Sequence, residues 1–231
     1  MTSTPNNPAT QGEAKKSRIL IVDDHPLFRE GLQQMIDRTP DLMVCGEAGD
    51  AAEAIQAISV LKPDLVLVDI SLGVGSGIDL IKNIKSNYDD LPVLVISMHD
   101  ESLYAERALR AGAMGYVMKQ ERGKKVREAI SRVLGGDVYL SERMSISMLS
   151  KLTWGKSDKP VSPVETLSDR ELEVFRMLGQ AKGTRQIAED LNLTIATINT
   201  FRGRIKEKLQ LKTSTELLLY AIQWFRENGG K

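Results

Sequence analysis

The chain has 231 residues, with 31 Lys and Arg against 31 Asp and Glu and a single cysteine, Cys45. That length suits about one or two domains, and the balanced charge gives no chain-wide sign of a partner. One cysteine excludes an internal disulfide framework and fits a reducing compartment, and no run approaches the ~18 to 20 apolar residues of a membrane span.

Residues 1–16 are rich in Thr, Ser, Pro, Asn and Gln and carry no apolar block. They read as a disordered leader, not a secretory signal. From 18 to about 136, short apolar runs alternate with amphipathic stretches. The runs at 18–23, 42–48, 64–69, 92–97 and 115–118 are expected strands. The stretches 26–38, 51–61, 77–87, 102–111 and 122–134 are expected helices. Five strands alternating with five helices, the strands apolar throughout, predict a parallel sheet covered on both faces. Cys45, in an apolar strand with nothing basic beside it, reads as a structural thiol.

In such sheets, sites form at the carboxyl ends of the strands. Asp23 and Asp24 end the first strand, Asp69 the third, Ser97 the fourth, and Lys119 follows the fifth. A lone aspartate at a strand end often just starts a turn. An acidic pair, a third carboxylate and a lysine gathered at one end make an acidic pocket, and crowded carboxylates repel unless a cation sits among them. Asp24 and Asp69 suit a hard ion such as Mg2+, which keeps several waters. Asp23 would hold one of those waters, and the Ser71 carbonyl would supply a further oxygen. Lys119 and the ion would neutralise a phosphoryl group carried on Asp69 as nucleophile. Ser97 would bind that group, and Tyr116 would follow into the vacated space. His25 and His99 lack the spaced partners of a transition-metal site; His25, at a helix start, suits a loop or capping role, and His99 reads as a lone loop histidine.

After Gly135-Gly136 comes a short amphipathic piece at 141–152, then a Gly, Pro, Ser and Lys-rich linker at 153–166. Beyond it only helical periodicity remains. Ser168 with Glu171 forms a capping-box pattern for a helix to about 180. Thr184 is expected to cap a second helix to 191, Thr194 a third to 209, and Thr213 or Ser214 opens a fourth ending near 225. In the third, Ile198, Phe201, Ile205 and Leu209 form an apolar face. Asn199, Thr200 and Gly203 lie opposite, flanked by Arg202, Arg204, Lys206 and Lys208. Residues 195–212 hold five bases and one acid, net 5 − 1 = +4. Charge alone also fits a solvated helix. The tight turn at 188–194, joining two short helices, points to helix-turn-helix recognition of double-stranded DNA, with Asn and Thr on base edges and Arg and Lys on phosphates.

The segments Val22-Asp23-Asp24-His25-Pro26-Leu27-Phe28-Arg29-Glu30-Gly31-Leu32, Val68-Asp69-Ile70-Ser71-Leu72, Ile96-Ser97-Met98-His99 and Gly112-Ala113-Met114-Gly115-Tyr116-Val117-Met118-Lys119 resemble the receiver domain of two-component response regulators of the NarL/FixJ type. The segments Leu167-Ser168-Asp169-Arg170-Glu171-Leu172-Glu173-Val174, Ile187-Ala188-Glu189-Asp190-Leu191, Thr197-Ile198-Asn199 and Lys208-Leu209 resemble the LuxR-type helix-turn-helix output domain. The resemblance implies an α/β fold: a five-stranded parallel doubly wound receiver domain followed by a small all-α four-helix domain. The expected division is a leader at 1–16, a receiver at 17–140, a linker with a short helix at 141–166 and a DNA-binding domain at 167–228. It implies Asp69 as phosphoacceptor, with Asp23, Asp24 and the Ser71 carbonyl as the Mg2+ site. Ser97 and Tyr116 would be the switch pair, and Lys119 the active-site lysine. DNA contacts are expected from Thr184, Asn199, Thr200, Arg202, Gly203, Arg204, Lys206 and Lys208. Leu217, Leu218, Ala221 and Ile222 would pair with their copies in a homodimer, or pack only on their own module.

Two departures stand out. Such receivers usually carry Pro-Gly shortly after the phosphoacceptor, where 73–77 reads Gly-Val-Gly-Ser-Gly, a looser loop. The output family often has Lys then His where Asn199 and Phe201 stand. The expectation is a cytoplasmic transcription regulator, not an enzyme, phosphorylated by a sensor histidine kinase. The alternatives are a regulator that binds DNA without phosphorylation, and an aspartyl-phosphate phosphatase. The phosphatase would need a second carboxylate at position 71.

Overall fold

The computed structural model describes residues 16–72, 76–153 and 163–228. Most of the leader, the glycines at 73 and 75 and most of the linker therefore lie outside the described residues. The first half is a doubly wound α/β unit. Its strands are β1 (Ser17–Val22), β2 (Leu42–Ala48), β3 (Leu65–Val68), β4 (Val93–Ser97) and β5 (Gly115–Met118). All pair in parallel, in the order β2-β1-β3-β4-β5. Between them run α1 (Pro26–Asp37), α2 (Ala51–Leu61), α3 (Gly77–Asn87) and α4 (Glu101–Arg110), and α5 (Gly123–Leu134) follows β5.

Successive strand residues point to opposite faces. Ile19, Ile21, Leu65, Leu67, Leu94, Ile96 and Val117 pack with α1 and α5. Leu20, Val22, Val66, Val68, Val93, Val95 and Tyr116 pack toward α2, α3 and α4. Local chemistry fixes the boundaries: Asp50 caps α2 by accepting from the Ala52 and Glu53 amides at 2.8 and 2.9 Å, and Lys62 ends it in the left-handed region at φ 47°. The β1–β2 register slips between Ile19↔Val44 and Leu20↔Gly46. That slip leaves Cys45 unmatched, and burial pushes its half-buried thiol upward.

The second half comprises α6 (Glu142–Thr153), a 3-10 turn at Pro163–Thr166, α7 (Asp169–Gly179), α8 (Thr184–Asp190), α9 (Ile195–Lys208) and α10 (Ser214–Asn228). The expected α/β fold with a four-helix module is therefore found. One local expectation fails, and the stretch read as linker gains a detail: its last residues, Pro163–Thr166, form a 3-10 turn with Val164 buried. Thr184 does not cap α8: Gly183 holds the N-cap position and Thr184 is the first helical residue. The capping box of Ser168 and Glu171 is present, as is the Thr194 cap.

The two halves touch. The apolar cluster on the α2–α4 side of the sheet continues into Leu172, Phe175, Leu178, Ile198 and Leu217 of the helical module. Around it lies a polar seam. Arg107 on α4 donates to the Leu167 carbonyl at 2.8 Å and to Asp169 at 3.0 Å, and Lys82 on α3 reaches Asp169 at 3.2 Å.

Gly77, at the start of α3, abuts the end of β3. A Cβ there would lie 2.1 Å from the Asp69 carbonyl oxygen and 2.7 Å from Ile70 Cα. Both are backbone atoms that cannot yield without moving the Asp69 turn. Gly77→Ala is expected to cost about 1–3 kcal/mol of stability, as overpacking does, read as a lower urea midpoint.

Candidate functional site

The chain reverses its winding between β1 and β3, since β2 lies on one side of β1 and β3 on the other. Crevices in open parallel sheets form at such switch points. Asp23 and Asp24 leave β1 there and Asp69 leaves β3. Asp23 and Asp69 are buried, and Lys119, arriving from β5, lies between them. Its ammonium is 2.6 Å from Asp23 Oδ2 and 2.7 Å from Asp69 Oδ2, over the Phe28 ring at 4.5 Å. Burial pushes the Asp69 carboxyl above the ordinary carboxylate range, while Lys119 and Ser97 pull the other way.

The pocket is polar beyond what the protein satisfies. Asp24 Oδ1 and Asp69 Oδ1 are buried without a hydrogen bond. A buried carboxylate oxygen with no hydrogen bond is costly, and carboxylate oxygens are the donor type that a hard divalent cation takes. His25 joins this cluster. Its Nδ1 lies 2.7 Å from Asp24 Oδ1 and 3.1 Å from Asp23 Oδ1, and one ligand atom from each of Asp23, Asp24, His25 and Asp69 falls within 4.8 Å of the others. His25 does hold the N-cap position of α1, as expected, but its side chain makes no capping bond.

Ser97 is fully buried beside Asp69. Tyr116 is also buried, and its hydroxyl donates to the His99 carbonyl at 2.8 Å. Sequence reasoning took His99 for a lone loop residue. Instead its amide donates to Ser97 Oγ at 3.2 Å, its Nε2 lies 2.5 Å from Ser71 Oγ, and its ring stacks on Tyr104 at 4.8 Å. Arg176 of α7 bonds its Nδ1. Burial, then the positive charges of Arg176 and Lys119, push the imidazole down to about 3. Arginine can only donate, so Nδ1 is the acceptor and Nε2 carries the proton toward Ser71. No periodicity marks His99; the strand ends bring Ser71 and Ser97 to it, and α7 brings Arg176.

The basic helix is placed differently for different residues. Asn199, Thr200, Gly203 and Arg204 are exposed on α9, while Arg202 and Lys206 are half-buried. A Cβ on Gly203 would meet nothing within 4 Å, so packing within the chain does not require glycine there. Three expectations need adjustment. Arg202 donates to the Thr184 hydroxyl, so these two hold α8 and α9 together. Lys208 is drawn back to Glu171 at 2.6 Å, spending its charge on the α7 cap. Leu217 and Ala221 are fully buried in their own module and do not face a partner. Ala221 lies against Gly179, where a Cβ would come within 2.7 Å of the Ala221 carbonyl oxygen. Leu218 is exposed at 36% and the overlooked Leu219 at 61%, with Ile222 half-buried.

The family described as response regulator receiver domain matches residues 19–131. The family described as bacterial regulatory proteins, luxR family, matches residues 165–221. The oxygen regulatory protein NreC of Staphylococcus carnosus (strain TM300) is 30% identical over 210 residues, spanning 89% of this chain and 97% of that one. This chain belongs to the two-component response regulators. Among solved structures, a LuxR-family response regulator from Aurantimonas sp. SI85-9A1 is 33% identical with a TM-score of 0.56, covering 60% of this chain and 99% of that one. RcsB from Salmonella enterica serovar Typhimurium, bound to promoter rprA in the presence of the phosphomimetic BeF3-, is 25% identical with a TM-score of 0.61. It covers 90% of this regulator and 98% of that chain. The regulator thus joins a receiver to a LuxR-type DNA-binding module and controls transcription through phosphorylation. Among the described residues, no helix is long and apolar enough to cross a membrane.

The His99 assignment is testable by nitrogen NMR of the imidazole. The ring is expected to stay a neutral Nε2–H tautomer from about pH 5 to about pH 8, where an ordinary histidine titrates.

Proposed function

We propose that Asp69 accepts a phosphoryl group from a sensor histidine kinase and that this changes how the helical module engages promoter DNA. The observation that carries the reading is the state of one carboxylate. Asp69 gives Oδ2 to Lys119 at 2.7 Å and keeps Oδ1 buried and unpartnered. It is a nucleophile whose charge is balanced on one side only. Asp23, Asp24, Asp69 and the Ser71 carbonyl would hold Mg2+, which neutralises charge on the transferring phosphoryl oxygens. Lys119 stabilises the same charge from the opposite side. The Ser97 hydroxyl, beside Asp69, binds the added oxygens, and Tyr116 packs behind it. A phosphatase reading has no second carboxylate to use, since position 71 is a serine whose hydroxyl is engaged by His99.

For the output, Asn199 and Thr200 meet base edges, Arg204 and Lys206 meet phosphates, and Gly203 lets the duplex approach closely. Arg202, with Thr184, orients α9, and Lys208 steadies its end. The likeness to RcsB, solved on a promoter, supports this. The exposed Leu218 and Leu219, with Ile222, form the candidate homodimer contact on α10. The functional division is a leader at 1–16, a receiver at 17–140, a linker at 141–166 and a DNA-binding domain at 167–228, working in the cytoplasm.

Two outcomes are expected. Incubated with Mg2+ and a small acyl phosphate, the wild-type chain gains acid-labile phosphate by mass spectrometry, and Asp69→Asn gains none; equal labelling of the variant would defeat the assignment. Gly203→Ala, with open space around the new methyl, should stabilise the module by about 1 kcal/mol yet weaken DNA binding. Unchanged affinity would remove Gly203 from the interface.

A further inference from the structure

Arg176 belongs to α7, in the helical module, yet its guanidinium reaches Nδ1 of His99, two residues beyond Ser97. It lies over the Tyr104 ring at 5.4 Å, and its Nε is buried without a hydrogen bond. A buried guanidinium with an unmet donor is destabilising. The group is held there for its contact with His99 and Tyr104, not for its own satisfaction.

His99 in turn ties together both loops that frame Asp69. Its Nε2 meets Ser71 Oγ at 2.5 Å, two residues after Asp69. Its amide donates to Ser97 Oγ at 3.2 Å, and its carbonyl accepts from Tyr116 at 2.8 Å. We propose that Arg176 is a positioning residue for phosphoryl transfer at Asp69: the docked helical module completes the receiver's site by fixing His99, and through it Ser71 and Ser97. The inference rests on Asp69 being the phosphoacceptor.

Phosphoryl transfer depends on groups already aligned around the equatorial oxygens. With Arg176 in place, the imidazole cannot swing away from Ser71 and the Ser97 hydroxyl stays beside Asp69. Without it, the loop after β4 loses its outer anchor, and fewer molecules present the aligned site. Asn199, Thr200, Gly203 and Arg204 on α9 are exposed in the docked arrangement, so the receiver does not cover these four side chains. If the docked form also prefers the phosphorylated over the unphosphorylated site at equilibrium, phosphorylation strengthens docking by the same factor; a rate effect alone carries no such reciprocity.

The test uses the full chain, Mg2+ and acetyl phosphate, following the rate of acid-labile phosphate gain on a phosphate-affinity gel. The variants are Arg176→Met, which keeps the stem over Tyr104 and removes the donors, Arg176→Lys, His99→Phe, and the Arg176→Met/His99→Phe pair. Arg176→Met is expected to slow labelling by about threefold or more, and Arg176→Lys to recover part of the loss. The pair should be no slower than His99→Phe alone, since interacting residues are not additive. Asp169→Asn, which loosens the same docking through Lys82 and Arg107, should slow labelling as well and serves if Arg176→Met does not fold. Wild type that labels normally beside an Arg176→Met or Asp169→Asn variant labelling at the same rate would overturn the proposal. So would slowing by the two single changes that multiplies in the pair. Wild type that takes no label at all would instead overturn the phosphoacceptor reading beneath it.

Discussion

One buried ammonium holds the receiver's chemistry together. Lys119, from the end of β5, is shared between Asp23 from β1 and Asp69 from β3. Two carboxylates at the carboxyl ends of neighbouring buried strands would repel each other in a medium that screens poorly. The lysine makes their coexistence possible, and removing one partner from such a buried arrangement typically costs about 3–5 kcal/mol. The sheet order sets the geometry, because β1 and β3 must be adjacent for their terminal aspartates to meet one side chain. The lysine still leaves Asp69 Oδ1 buried without a hydrogen bond, and Asp24 Oδ1 has only the His25 imidazole beside it.

From that pocket the structure runs outward in two directions. Toward solvent, His25 adds an imidazole to the carboxylates. Toward the helical module, His99 and Arg176 connect the loops around Asp69 to α7. The outer ion pairs of the seam, such as Lys82 with Asp169, are partly exposed and contribute little individually. The buried apolar cluster on that side of the sheet continues into Phe175 and Leu172, so the two halves share apolar as well as polar contacts.

Much of this was legible in the residues. Parallel strands announce themselves as apolar runs, and the acidic pair, Asp69, Ser97 and Lys119 stand at their ends because the strands stop there. The Ser168 and Thr194 caps follow from local chemistry. What stayed hidden is tertiary. His99 has no sequence partner, since Ser71 is 28 residues away and Arg176 is 77. Leu217 and Ala221 sit on a stripe whose occupant, a second chain or α7, periodicity does not specify; Gly179 decides it by letting α10 approach closely. The attraction of Lys208 to Glu171 likewise depends on where α7 and α9 cross.

The bulge between β1 and β2 has a practical side. Cys45 is the chain's sole thiol, it is half-buried, and burial keeps it protonated. Alkylating reagents attack the thiolate, so this native sulfur is a sluggish target. Two cysteines, one installed on α7 and one on α4, would take maleimide dyes first, and the distance between the two halves becomes measurable by energy transfer without first stripping the chain of its own thiol.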